Sequence, residues 1–236
     1  MAETSFVDRH FRGESLRDHC VNFTPAYAPA DTSLTVANFG TFLGQVGALN
    51  TEIGTLTGNY STQAAARVTL VKTIKSTATR VAARLKSNAA WKSEEKSARL
   101  VLNKLRGVRP QKPKTPAEGE PPTEVKKRNS GEQAYAEVAA LFEKFIGIAT
   151  GAAGYATGAP VAIAPGALNG LLSSIKGANA FLCGLDAQIG PKQKKRQALY
   201  FDPGGFKEKF HGVKESVKSQ YGTQSPEYSA VKGVKW

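Results

Sequence analysis

The stretch that decides the fold is residues 39–60, FGTFLGQVGALNTEIGTLTGNY. Its large apolar residues recur at intervals of three or four, which is the spacing of one face of an α-helix. They are Phe39, Leu43, Val46, Leu49, Ile53, Leu56 and Tyr60. The stretch therefore predicts an amphipathic helix close to a heptad seam, with N-caps available at Asp31, Thr32 and Ser33 and a turn at 58–61.

Glycines form a second stripe beside this apolar face. They are Gly40, Gly44, Gly47, Gly54 and Gly58. A glycine inside a helix costs roughly 1 kcal/mol relative to alanine, so five of them call for a compensating contact. We expect a neighbouring helix to approach the backbone closely there, either from within the chain or from another copy. The stripe is therefore a candidate helix-packing or assembly surface.

Further helices are predicted wherever the same spacing recurs. Apolar residues at helical intervals indicate helices over 62–88 and 93–106, from about 130, from about 167, and over 206–221. Between the second and third of these lie residues 108–129, which hold five prolines among Lys, Glu and Thr. Such a composition cannot build a core and indicates a linker.

The chain divides at this linker into two similar halves, residues 1–107 and 130–236, the second of which is expected to end in a tail over residues 222–236. A shift of 129 positions aligns residues of the same kind in the two halves. The aligned pairs are Phe39 with Leu168, Phe42 with Leu171, Leu43 with Leu172, Val46 with Ile175, Ile53 with Leu182, Leu56 with Leu185, and Arg67 with Arg196. In each half an apolar helix precedes a basic one. We therefore predict an all-α, antiparallel bundle of two helical hairpins, while a chance alignment of amphipathic helices remains the alternative.

Positive charge is concentrated in two blocks. The net charge is +13, of which residues 61–130 supply +12 and residues 191–236 supply +6, the remaining segments being weakly acidic. Basic helices can follow phosphates without reading bases, and they can also be no more than a solvated face. The candidate polyanion-binding residues are Arg67, Lys72, Lys75, Arg80, Arg84, Lys192, Lys194, Lys195 and Arg196. The last four are expected to lie exposed, at the start of a helix.

A search for catalytic and metal-binding patterns gives no candidate residue. His10, Asp18, His19 and Cys20 lie close in sequence, but their spacing matches no zinc-ligand template. The glycine-rich segment 149–166 lacks the Lys-Ser/Thr of a phosphate-binding loop. We therefore expect a protein that is not an enzyme, without a cofactor, a metal or a small-molecule substrate.

Location is predicted from what the chain does not contain. No apolar run approaches the roughly 20 residues of a membrane-spanning helix. The first residues, with Glu3, Asp8 and Arg9, do not resemble a signal peptide. We expect a cytoplasmic protein, and export without a signal stays open.

The C-terminal segment resembles a known family. Val217-Lys218-Ser219, Tyr221-Gly222, Ser225-Pro226, Tyr228 and the ending Lys232-Gly-Val-Lys-Trp236 are similar to the endings of an uncharacterised family of small, duplicated, helical bacterial proteins. In this chain Glu227 and Trp236 stand where that family has Gln and Phe. The resemblance implies a duplicated helical fold and no catalytic residues.

Two functions remain after this reading. The first is a structural or assembly protein that pairs with copies of itself through the glycine stripe. The alternative is a sequence-independent binder of nucleic acid or another polyanion, associated with a nucleoid or with ribosomes. A peripheral protein of anionic membranes is a weaker third hypothesis, because the basic helices lack a face of bulky aromatics.

Overall fold

A computed structural model describes residues 3–107 and 133–236, which form seven α-helices joined by turns and short 3-10 helices. The helices are α1 (Glu3–Val21), α2 (Val36–Lys86), α3 (Lys92–Arg106), α4 (Gln133–Gly151), α5 (Pro165–Phe201), α6 (Phe206–Tyr221) and α7 (Pro226–Lys232). The 3-10 helices are Thr32–Leu34, Ala89–Trp91 and Val161–Ile163. Within these residues there is no β-strand, which confirms the all-α class.

Helix α2 is a single helix of 51 residues, so the turn expected at 58–61 and the hairpin it would form are wrong. Gly58 and Asn59 are poor helix formers, but each keeps its backbone N–H. The cost of roughly 1 kcal/mol for a glycine is small when both flanking segments are strongly helical. Only a proline would remove a hydrogen bond outright.

Helix α5 likewise continues through the position where a break was expected. Pro191 lies inside it, and Lys192 to Arg196 occupy its last three turns instead of a helix start. A proline inside a helix removes one backbone hydrogen bond, and the remaining ones hold the two segments together. The basic residues therefore do not oppose the positive end of a helix dipole.

The described chain packs as two compact units, and each draws on both sequence halves. Unit 1 contains residues 1–60 and 185–236, and unit 2 contains residues 61–184. The division therefore differs from the expected halves at 1–107 and 130–236. The proposed linker 108–129 lies outside the described residues.

Unit 1 is built around aromatic side chains. Phe206 of α6 packs edge-on against Tyr200 of α5 and Trp236, with ring centres 5.2 and 5.0 Å apart. Phe39 from the start of α2 lies on the same ring. Trp236 is held there because residues 226–232 of the expected tail form α7, which packs on α1 and α6.

Unit 2 has a more aliphatic core. Phe142 and Phe145 of α4 are fully buried against Ile74 and Leu85 from the second part of α2. Helix α3 adds a buried stripe, Ala98, Val101, Leu102 and Leu105, and ends at Gly107. Gly107 has φ of 73°, a left-handed conformation that glycine adopts without strain, and it forms the expected C-terminal stop.

Candidate polyanion-binding face

The glycine stripe is approached at two of its five positions. A Cβ at Gly47 would lie 2.9 Å from the imidazole of His10 in α1, and one at Gly40 would lie 3.4 Å from Arg17. Nothing lies within 4 Å of a Cβ at Gly44, Gly54 or Gly58. Among the described residues the stripe is therefore a close helix contact at Gly40 and Gly47, while contact of another copy with Gly44, Gly54 and Gly58 stays a prediction.

The imidazole that faces Gly47 also joins α1 to α2 by a hydrogen bond. His10 Nε2 lies 2.9 Å from the carbonyl oxygen of Leu43. The carbonyl can only accept, so the Nε2 atom carries the proton in this pair. This contact explains why the side chain at position 47 must be small.

Three of the nine candidate cations lie over aromatic rings inside the units, Arg196 and Arg67 closely and Arg84 at 5.3 Å from the ring centre of Tyr155. The guanidinium of Arg196 lies 4.1 Å from the ring centre of Phe6, and the residue is only 5% exposed. Arg67 lies 3.8 Å from the ring centre of Tyr135. A desolvated cation over an aromatic face contributes about 2 kcal/mol. These arginines stabilise the fold, so the expectation that Arg196 lies exposed is wrong.

Arg84 is also engaged by the protein itself. It donates to the carbonyl oxygens of Tyr155, Thr157 and Gly158 at 2.9–3.1 Å. It thereby closes the turn that follows α4, in which Gly158 has φ of 65°. Its planar fork of donors suits several carbonyls at once, which a lysine could not match.

Only part of the basic block at 192–196 is exposed to solvent. Lys192 forms an ion pair of 2.6 Å with Glu52 of α2. Arg196 is buried, which leaves Lys194 and Lys195 exposed. Four cations were expected on one surface there, and the structure exposes two, which form no ion pair with an acidic side chain in residues 3–107 and 133–236.

Helix α2 keeps a stripe of cations in unit 2. Lys72, Lys75 and Lys86 follow one another at intervals of 3 and 11 residues, so they lie within about 60° of each other around the helix. Lys72 and Lys86 are exposed and Lys75 is partly exposed. Arg80 is exposed as well, but it lies further round the helix.

Helix α3 carries a second stripe that sequence reasoning missed. Lys92, Lys96, Arg99 and Arg106 are all exposed and recur at intervals of 4, 3 and 7. They therefore form a row on the exposed side of α3, about 21 Å long at 1.5 Å per residue. The signal was present in the sequence, because this spacing is the same one that identifies apolar faces.

The two stripes adjoin at two places. Near the α2–α3 turn, Lys86, Lys92 and Arg99 line one shallow depression together with Glu95. At the other end of α3, Arg106 donates a 2.6 Å hydrogen bond to Thr79, one turn after Lys75. We call this combined surface the basic face: Lys72, Lys75, Lys86, Lys92, Lys96, Arg99 and Arg106.

Acidic residues are scarce in the chain segment that carries this face. Residues 61–107 hold 11 Lys and Arg but only two carboxylates, Glu94 and Glu95, and the whole of unit 2 carries +11 of the net +13. Glu95 lies 3.9 Å from Arg99. Both glutamates occupy the first turn of α3, where they complement the helix dipole.

In residues 3–107 and 133–236, no three His, Cys, Asp or Glu side chains come together as a metal site would require. None of the helices in these ranges has the length and hydropathy to cross a bilayer.

Comparison with protein-family models, curated proteins and solved structures finds no match for this chain. The resemblance of the C-terminal segment to a helical bacterial family therefore stays a prediction. By its fold, the described part of the protein belongs to the class of all-α helical bundles.

Proposed function

We propose that the protein binds a polyanion along the basic face of unit 2, without reading its sequence. The observation that carries this proposal is the pair of adjoining cation stripes on α2 and α3, which hold seven Lys and Arg side chains with one carboxylate, Glu95, lining the shared depression. Cations three or four residues apart on one helix face, such as Lys92, Lys96 and Arg99, stand about 5–6 Å apart, which allows them to contact a charged backbone together.

The chemistry of the face favours phosphates over base edges. Most of its members are lysines, which act as mobile point charges, whereas bidentate base recognition is the role of arginine or asparagine. Three of the candidate arginines, Arg67, Arg84 and Arg196, are already held by the fold. Binding is therefore expected to be independent of sequence and sensitive to salt.

The test is the binding of a fluorescent 25-base-pair DNA duplex by anisotropy, at several salt concentrations. The variant Lys92→Gln/Lys96→Gln/Arg99→Gln removes three charges from the basic face. A matched control, Lys194→Gln/Lys195→Gln/Lys207→Gln, removes the same charge from exposed positions in unit 1. We expect the first variant to lose affinity about tenfold or more and to lower the salt slope by about one for each lost contact.

Two results would contradict this proposal. One is an equal loss of affinity in the two triple variants, since that would reflect net charge alone. The other is the absence of binding by the wild-type protein at low salt. Circular dichroism and melting of each variant show that the helices remain intact.

Self-assembly is a second candidate, favoured by the exposed part of the glycine stripe. Gly44 and Gly54 lie inside α2 with open space around the position of a Cβ. Each costs roughly 1 kcal/mol relative to alanine without a compensating contact in the described structure. A helix from another copy would supply that contact.

Light scattering on nuclease-treated protein tests the assembly candidate. We expect oligomers whose mass falls to that of one chain in Gly44→Leu/Gly54→Leu, because the added side chains keep a partner helix away. A wild-type protein that stays monomeric over the whole concentration range contradicts this candidate and leaves the polyanion proposal untouched.

A further inference from the structure

We infer that residues 3–107 and 133–236 are two equivalent halves that pair reciprocally, and that the surface each half offers the other also accepts the complementary half of a second copy of this chain. The expected duplication placed each half in its own hairpin. The structure instead distributes each half over both units. Helix α1 and the start of α2 share unit 1 with the end of α5 and α6, while α4 and the start of α5 share unit 2 with the end of α2 and α3.

Several elements of the two halves start 129 positions apart, or 130 for α1 and α4, whereas the ends of α2 and α5, at Lys86 and Phe201, do not correspond. The 3-10 helices Thr32–Leu34 and Val161–Ile163 lie 129 positions apart, and so do the starts of α2 and α5 at Val36 and Pro165. Helices α1 and α4 each contain 19 residues. The offset of 129 is the same one that aligned the apolar residues in the sequence.

Several buried positions correspond as well. At the offset of 129, several buried residues before Tyr60 meet buried residues in the second half. The pairs are Leu16 with Phe145, Leu34 with Ile163, Phe39 with Leu168, Val46 with Ile175, and Ile53 with Leu182. By contrast, Ile74, Ala78 and Leu85 meet Pro203, Lys207 and Lys214, which are not buried. Any two amphipathic helices can be aligned on apolar residues alone, so the buried pairs need support from polar contacts.

The polar contacts give that support. In unit 1, Arg196 stacks on Phe6. The counterpart of Arg196 at the offset of 129 is Arg67, and that of Phe6 is Tyr135. These two counterparts stack on each other in unit 2. We call these two pairs the arginine clamps. Each clamp joins one half to the other, in opposite directions.

An asparagine accompanies each clamp at the same offset. The side-chain amide of Asn50 donates a hydrogen bond of 2.9 Å to the hydroxyl of Tyr200. This hydroxyl in turn donates a hydrogen bond to the carbonyl oxygen of Phe6. Asn179 donates a hydrogen bond of 3.2 Å directly to the carbonyl oxygen of Tyr135. Position 71, the counterpart of Tyr200, holds a valine, so the second contact has no bridging hydroxyl. Matching contacts of this kind are not expected from helix periodicity alone.

Reciprocal pairing has a physical consequence for a second copy. The contacts between a first half and a second half are the same whether the two belong to one chain or to two chains. Only the connection between the halves favours pairing within one chain, by an effective concentration of the order of millimolar. Once that connection is cut, halves from different molecules compete equally.

The experiment uses the full chain with a site for a specific protease inserted after Gly119, in the segment that the sequence predicts to be a linker. The folded protein is cut and examined by native mass spectrometry and size exclusion. We expect the two fragments to stay paired one to one. In a second step, cut protein labelled with heavy isotopes is mixed with unlabelled cut protein, unfolded in urea and refolded by dilution. We expect labelled and unlabelled fragments to form mixed pairs in the statistical proportion.

The arginine clamps test the equivalence of the halves. Arg67→Ala and Arg196→Ala, each introduced into the cut protein, should both raise the dissociation constant of the fragments about tenfold or more, with Lys195→Ala as the unchanged control. Fragments that separate while each keeps a cooperative melting transition would overturn reciprocal pairing. An effect of one clamp without the other would overturn the equivalence. Neither result depends on polyanion binding.

Discussion

The guanidinium carbon of Arg196 lies 4.1 Å from the centre of the Phe6 ring, which brings the first helix of the chain against the last turns of α5. Tyr200, one turn further along α5, packs edge-on against the same ring at 4.9 Å and donates to the Phe6 carbonyl. This small cluster explains why a residue from a basic run became part of the core.

Replacing Arg196 with alanine should lower the free energy of unfolding by about 2 kcal/mol or more, because the stacking and the packing of the aliphatic stem are both lost. Lys195→Ala is the neighbouring control and should stay within about 0.5 kcal/mol of wild type. Urea titration followed by circular dichroism measures both values. Equal stabilities of the two variants would show that the stacking has no energetic role.

Substitutions along the glycine stripe should change the stability of the protein in opposite directions. Gly47→Leu should destabilise the protein by about 1–3 kcal/mol, because its side chain would displace His10 from the Leu43 carbonyl. Gly54→Ala should raise stability by about 0.5–1 kcal/mol, because a Cβ there has no neighbour within 4 Å among the described residues. Melting temperatures test the pair. An unchanged melting temperature and unchanged solution mass in Gly47→Leu would refute the contact.

The two cysteines should differ in reactivity. Cys20 is buried in unit 1, and this burial raises the pKa of its thiol to about 12, whereas Cys183 is exposed on α5. The thiolate is the reactive form, so Cys20 should resist alkylation in the folded protein at pH 8. Mass spectrometry should find iodoacetamide on Cys183 alone, and on both residues in urea. Rapid native labelling of Cys20 would be inconsistent with its position in the core.

Stability should fall at alkaline pH. Burial raises the pKa of Cys20 from 9.0 to about 12 and that of Tyr27 from 10.0 to about 12. Between these values the folded state keeps protons that the unfolded chain has released, so the free energy of unfolding decreases as pH rises from about 9 to 12. Below pH 9 the contribution is fully present.

Urea titrations at pH 8, 9.5 and 10.5 measure this slope. Cys20→Ala should give a shallower decline than wild type, because one of the two groups no longer titrates. A wild-type stability that is constant over this range would contradict the burial of both groups.

Local periodicity was sufficient for much of the fold. The expected face of α2 is buried at Phe39, Leu43, Val46 and Ile53, and the predicted helix 206–221 has the bounds of α6. The errors occurred where a local signal competed with tertiary context. Gly58-Asn59 indicates a turn in isolation, and Pro191 indicates a break, yet neither ends a helix here.

The candidate site was predicted less well, because charge in a sequence does not reveal where the side chain points. Arg67, Arg84 and Arg196 looked equivalent to Lys72 or Lys194, but the fold holds all three of these arginines. The cation row on α3 could have been found by applying helical spacing to charges. The joining of that row to Lys75 through Thr79 depends on packing, which no local pattern predicts.

The distribution of each half over both units also constrains how the protein is made. When a ribosome has completed α1, α2 and α3, the buried faces of these helices still lack α4 and α5, which complete both cores. Apolar surface must then stay exposed until the second half has been translated, a situation that favours aggregation or binding by chaperones. Slow synthesis through residues 133–201 would lengthen that exposure, and the yield of folded protein should depend on translation rate there.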